Sequence, residues 1–475
     1  MRKQSVVLSL FLSMIIILGG GQMIIVQGDG AQLGNSMRED MNSSVMAMVV
    51  VDEEIPIEED VKPWVEQWHD QRMESYGVLL EGVLTLTSDE HRGRLPGTEG
   101  NHLTVEYIEK YFKEIGLQPH DQVSYLQGFQ QMIYHPDEQA LALRIHFKDG
   151  TTREAELGMD YTEQSRVMRE VEMTAPITFN IKDEDIKEKV IILDGPEEIQ
   201  HVYDQAQAVL IKRKVLGNSL RVWDKIMDNG EARPAPFMFQ ISQELFETLQ
   251  AENVESVSLY SKLVGEEKTI YNVAGRIPGK DSNKVVVISA HIDHLGWAGE
   301  KIFRGVVDNA AGVAVMMDLV QRLHHQSIEE PFQMDIIFVG FNSKKSEMLG
   351  SNAYIKQIKD KYDKIYNINI DCVGRKTGGP IIISGGEEIN QALKKNITKY
   401  LAIYGINVEG QRGFDSDHLS FNKEEIRGVT LGQRDVLTVT HNPEDIVALL
   451  DFDYIKGVSL SIYDFIVAEG YKSFD

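Results

Sequence analysis

One cysteine, Cys372, occurs in the 475 residues, so no disulfide can form within the chain. A chain of this size can rest on its hydrophobic core instead, because dependence on disulfides belongs mainly to small domains. Cys372 follows a strand-like run with no histidine-bearing motif around it, and it reads as a small buried hydrophobe rather than a nucleophile. Basic residues are in deficit: 48 Lys and Arg stand against 73 Asp and Glu, a formal net charge of −25. A field of that sign repels polyanions, which argues against nucleic acid as a partner. Signs of global disorder are missing as well. Hydrophobic residues make up 42% and charged residues 25%, near the average for soluble globular chains. The length calls for two or three domains.

The N-terminus reads as an export signal over residues 1–27. Arg2 and Lys3 give a positive start, Val6 to Leu18 is apolar apart from two serines, and Gly19-Gly20-Gly21 breaks the run. No Ala-x-Ala cleavage site follows, and no cysteine is there to carry a lipid. A second apolar patch, Met23 to Val26, brings residues 5–26 close to the length of a membrane span. The expectation is therefore a secreted protein, with an uncleaved anchor at the extracellular surface as the alternative and the one way a membrane enters. Residues 28–60 form an acidic leader, with Asp52-Glu53-Glu54 and Glu58-Glu59-Asp60.

From about Pro63 a helical pattern begins. Residues 91–100 are loop chemistry, dense in Gly and Pro. A second helix follows, with Val105, Ile108, Tyr111 and Phe112 at helical spacing and a stop near Gly116. Residues 140–262 have a different texture: short β-like runs at 141–147, 190–193 and 208–211, with few long helices. This marks an inserted β-rich module, placed at 155–262, with 61–150 and 263–475 forming the domain around it. From Thr269 strands and helices alternate. Strands are expected at 285–290, 334–341, 366–370, 380–384 and 428–431. Helices are expected near 309–324, 351–358 and 389–402 and from Phe452. The apolar, β-branched character of 285–290 suits a strand buried on both faces. The pattern predicts an α/β three-layer sandwich whose mixed sheet has a parallel centre. Ligands of such sheets gather at the carboxyl ends of the strands.

Polar residues sit at those ends. His291 follows 285–290 in Ala290-His291-Ile292-Asp293-His294, and Asp308 lies in Val307-Asp308-Asn309-Ala310 where a helix begins. Asp371 ends 366–370, and His441 opens His441-Asn442-Pro443-Glu444-Asp445. Singly, Asp308 reads as a helix N-cap, His294 as a satisfied loop histidine and Asp371 as a turn starter. Four such residues at successive strand ends are poorly explained by caps and turns. Imidazoles and carboxylates converging on one crevice suit Zn²⁺.

In these strings, together with Arg94-Leu95-Pro96-Gly97-Thr98, Asn272-Val273, Leu349-Gly350-Ser351 and Ser416-Asp417-His418, the chain resembles the co-catalytic zinc aminopeptidases. These belong to metallopeptidase clan MH, and the branch in question is the leucyl-aminopeptidase-like one with a protease-associated insert. The resemblance covers about residues 75–470 and implies a zinc-exopeptidase-like fold acting on peptides or protein N-termini. It implies two metal ions: His291 and Asp371 on one, Asp308 bridging, and His441 with a glutamate on the other. Asp293 would be the carboxylate that orients the His291 imidazole.

The family carries two adjacent glutamates after the strand at 334–341, the first a general base and the second a metal ligand. Counting back from Gly350-Ser351 puts Lys344 and Lys345 at those places. Lysine has three donors and no acceptor, so a protonated lysine can neither bind zinc nor take a proton. At ~4 kcal/mol per unit-charge pair 4 Å apart, a dication beside Lys345 meets roughly 8 kcal/mol of repulsion. Three readings follow. One is a family member with impaired two-metal hydrolysis, holding one zinc ion and binding peptides. Another is an active aminopeptidase that uses Glu347 or a single metal. The last is a non-catalytic interaction module acting through the insert.

Overall fold

The computed structural model describes residues 76–475 apart from short stretches, the longest being 164–169 and 214–224, and residues 15–18 and 22–25. The last two form a short antiparallel pair. The acidic leader and most of the export segment lie outside the described residues, as does the helical pattern expected from Pro63 to residue 75.

A nine-stranded mixed sheet organises Tyr76–Asp475. Its strands are β1 (Gln118–Pro119), β2 (Leu126–Tyr134), β3 (Gly265–Ile277), β4 (Asp281–His291), β5 (Met334–Phe341), β6 (Lys364–Ile370), β7 (Ile381–Ser384), β8 (Val408–Glu409) and β9 (Arg427–Gln433). The order is β8-β7-β9-β6-β4-β5-β3-β1, with β2 also paired to β3. The central strands β9, β6, β4 and β5 run parallel, whereas β3 meets β5 antiparallel. Among the described residues, α1 (Val78–Leu86), α2 (Glu99–Ile115), α3 (Ala311–Glu329), α4 (Leu349–Ile358), α5 (Glu387–Ile403) and α6 (Phe452–Glu469) flank the sheet, with the short helix His418–Asn422 packed beside β9.

The parallel centre follows from its residues. Val285, Val287, Ile337 and Val339 pack with Tyr354, Ile355 and Ile358 of α4 on one face. The alternate residues Val286, Ile288, Ile336 and Phe338 are as deeply buried on the other. A strand apolar on both faces fits only between two helical layers. The three-layer α/β sandwich expected from the sequence is present.

Residues 140–262 build a four-stranded sheet, a five-stranded sheet and a short antiparallel pair, Lys225–Asp228 with Glu231–Pro234. Ala140–Phe147, Thr152–Glu154, Val171–Ala175 and Val254–Lys262 form a four-stranded antiparallel sheet. A five-stranded sheet has Ala208–Lys212 at its centre. Leu143, Ile145, Val257 and Leu259 of the first share a core with Val190, Ile192, Leu210 and Phe239 of the second. Ala140–Phe147 pairs along Val254–Lys262, so the residues before 155 share a sheet with the end of the β-rich stretch.

Candidate active site

Strand register sets the site. Ser289 of β4 lies opposite Asn369 of β6, and His291 opposite Phe341 of β5, so the three strands end level. His291, Asp371 and the turn at 343–347 therefore emerge side by side. Asp308 comes from the kinked turn Val306–Ala310 ahead of α3 and does not cap that helix. It is fixed from behind by Asp445, whose carboxylate accepts the N–H of Val307 at 2.9 Å and of Asp308 at 3.1 Å.

His291 Nε2 lies 3.1 Å from Asp308 Oδ1 and 3.2 Å from Asp371 Oδ1. All three residues are buried, and their ligand atoms fall within 4.8 Å of one another, a spacing that can hold a metal ion. His291 Nδ1 is 3.0 Å from the main-chain oxygen of Asp293 and 3.5 Å from its carboxylate. The Asp293 carboxylate also accepts the N–H of Lys344 at 3.0 Å and of Lys345 at 3.2 Å. It thereby orders the turn that presents both lysines.

The lysines point inward. Lys345 Nζ donates to both Asp308 oxygens, at 2.7 and 2.5 Å, and lies 3.0 Å from His441 Nε2. Lys344 Nζ sits 2.8 Å from Asp371 Oδ2, which also accepts from Ser416 Oγ at 2.7 Å. Glu347, two residues on, is exposed. It is the ammonium groups of Lys344 and Lys345, not the Glu347 carboxylate, that meet Asp371 and Asp308.

The electrostatics are those of a closed ionic cluster. Burial disfavours the imidazolium of His291, but Asp371, with Asp293 and Asp308, raises its pKa to about 10. Burial likewise opposes the charge on Lys344, and Asp371 and Asp308 overcome it, holding the ammonium protonated. Asp308 and Asp371 are kept ionised against burial, chiefly by Lys345 and Lys344 respectively. Three carboxylates (Asp293, Asp308, Asp371) thus face three cations (His291, Lys344, Lys345).

A metal fits one half of this arrangement and not the other. His291, Asp308 and Asp371 offer one imidazole and two carboxylates, a donor set zinc accepts. Between Asp308 and His441, the ammonium of Lys345 stands where a further ligand would be, and it has no lone pair to give. Sequence reasoning gave no role to Asp445 or Ser416, though both lie in strings it singled out. Each acts on a residue far along the chain, so no local spacing marks it.

Residues 272–466 match the model of peptidase family M28. Among solved structures, the aminopeptidase from Aneurinibacillus sp. strain AM-1 is 20% identical with a TM-score of 0.59, covering 82% of this chain and 93% of that one. BSAP, a zinc aminopeptidase from Bacillus subtilis, is 19% identical with a TM-score of 0.62, covering 81% and 94%. A peptidase M28 precursor from Shewanella amazonensis SB2B is 16% identical with a TM-score of 0.61, covering 86% and 96%. At these identities the likeness is one of fold. No curated protein matches the chain.

Proposed function

We propose that this protein, whose residues 272–466 match the model of peptidase family M28, is a metallopeptidase-family protein that binds peptides at the strand-end crevice but does not hydrolyse them by a two-metal route. The observation that carries this reading is Lys345 Nζ, 2.5 Å from Asp308 Oδ2 and 3.0 Å from His441 Nε2. An ammonium there neutralises Asp308 in place of a second ion. Lys344, at the base position, is a donor tied to Asp371. It cannot take a proton from water, and it repels the ammonium of an incoming peptide N-terminus.

One zinc ion at His291, Asp308 and Asp371 belongs to this proposal; when bound, it supplies Lewis-acid polarisation of an oxygen ligand. Neither lysine of the turn then provides a base. Asp308 and Asp371 are committed as ligands, and Asp293 accepts the N–H groups of the lysine turn. Peptides are the proposed ligands because the similar structures are described as aminopeptidases. His441, whose side chain is 51% exposed, lies at the mouth. Export through residues 1–27 completes the reading. Among the described residues no helix is long and apolar enough to cross a membrane.

The test is the double change Lys344→Glu, Lys345→Glu, assayed with zinc on aminoacyl chromogenic substrates. The parent should be near-silent and the variant should gain activity by orders of magnitude. A parent as active as the variant would overturn the proposal.

A further inference from the structure

The turn that carries Lys344 and Lys345 is strained. Ser343, Glu347 and Met348 all lie in the left-handed region, at φ of 60°, 59° and 59°, and none is a glycine. Residues with a Cβ disfavour that region, so three of them in one turn persist only where the surroundings fix them. Asp293 supplies part of that hold by accepting the N–H groups of Lys344 and Lys345. The rest comes from the ribbon of β2 and β3, paired from Leu126 with Val273 to Tyr134 with Gly265. On β3, Asn272 accepts the N–H of Asn342 at 2.8 Å and donates to the carbonyl oxygen of Gly350 at 2.9 Å, gripping the chain on both sides of the turn. On β2, Gln131 grips its middle. The Gln131 amide accepts from Ser343 Oγ and donates to Ser346 Oγ, the latter at 2.9 Å.

Ser343 and Ser346 are both buried, and they flank the two lysines in the chain. The turn also closes between them, with the Ser343 carbonyl accepting the N–H of Ser346 at 3.1 Å. A glutamine amide carries an acceptor and donors side by side, so one side chain can hold both hydroxyls at once. We infer that Gln131 is the positioning residue that clasps this turn and keeps the ammonium groups of Lys344 and Lys345 on Asp371 and Asp308. It acts through the backbone between Ser343 and Ser346, from a strand more than 200 positions away in the chain. This rests on the reading of Lys345 given above and adds the residue that enforces it.

Lysine acylation of the folded chain reads the clasp without reference to activity. Parent, Gln131→Met, Ser343→Ala/Ser346→Ala and the triple variant are treated briefly with acetic anhydride, and each lysine is quantified by mass spectrometry. In the parent, Lys344 and Lys345 should be protected while Lys110, with a side chain 74% exposed, reacts readily. Gln131→Met should raise the rate at Lys344 and Lys345 at least about tenfold by local opening, and amide exchange at both should quicken with it. Lys284, at the opposite end of β4 from His291, should react no faster than in the parent. The serine double variant should reproduce the effect. The triple variant should add little to it, because the three side chains form one set of bonds. The inference is overturned if Gln131→Met labels both lysines no faster than the parent does, or if the triple variant shows the two effects summed. It is also overturned if Lys284 rises in step, since Gln131 would then hold the whole fold rather than the turn. Ready labelling of both lysines in the parent would instead sink the reading of Lys345 itself.

Discussion

Lys344 Nζ and Asp371 Oδ2 lie 2.8 Å apart, so an ammonium of the turn at 343–347 is paired with one of the two carboxylates that meet His291. With Lys345 on Asp308, two neighbouring residues of one turn neutralise two carboxylates that otherwise face each other across His291. Buried carboxylates without partners are costly, which is why the cluster depends on the turn at 343–347.

Replacing Lys345 by Met should expose that dependence. The methionine keeps the length of the side chain but leaves Asp308 buried and unpaired, a change of the kind that costs about 3–5 kcal/mol. Urea denaturation of parent and variant, both with a chelator present, should show this loss, because the Lys345–Asp308 pair is made without a metal. A variant as stable as the parent under those conditions would mean that Lys345 does not hold the cluster together.

Arg94 supports the same site from below. Its guanidinium, buried at 1% exposure, donates to the carbonyl oxygens of Ile292, Leu86, Arg304 and Gly305. It thus ties the segment bearing His291 and Asp293 to the one leading to Asp308. A lysine has three donors on a single nitrogen and cannot serve four acceptors from a planar fork. Arg94→Lys should therefore leave buried carbonyls unpaired and cost about 1–3 kcal/mol. It should also weaken zinc binding, since Asp308 would no longer be held relative to His291. An unchanged denaturation midpoint would show that water replaces the lost bonds.

Much of this site was legible in the sequence because its residues sit where strands end. The β-branched run at 285–290 marks a buried strand, and a residue directly after such a strand reaches the sheet's carboxyl edge, as His291 does. Asp371 follows by the same logic. Lys344 and Lys345 were located by counting back from Gly350-Ser351, and the start of α4 at Leu349 agrees with that spacing. What stayed hidden depends on contacts across the chain. The bonds from Asp445 to Val307 and Asp308 join residues more than 130 positions apart, and no periodicity signals them. The long pairing of β2 with β3 joins residues on either side of the β-rich stretch, so no local pattern in the sequence shows that ladder. His294 read as an ordinary loop histidine because only the packing of Gly305 and His441 around it shows its nitrogens to be unpartnered.

Acid should destabilise the protein through histidines remote from the cluster. Burial, reinforced by Arg94, lowers His91 to about 4, and burial lowers His120 to about 4 despite the nearby Asp121. In the unfolded chain both take up a proton near 6.5. Between pH 6.5 and 4 the unfolded state therefore binds more protons than the folded one, so stability falls as pH falls. Above 6.5 both states are neutral at these positions and neither histidine contributes a slope. A depression of this size corresponds to about 3 kcal/mol per histidine once pH 4 is reached. His120 packs its ring against Tyr354, with centroids 5.6 Å apart, so His120→Phe keeps an aromatic ring there and removes the titrating group. Denaturation midpoints at pH 7.5, 6, 5 and 4.5 should then fall less steeply in the variant than in the parent, with the two curves converging in shape above 6.5. Parallel curves over the whole range would show that His120 is protonated in the folded protein and that other groups set the acid limb.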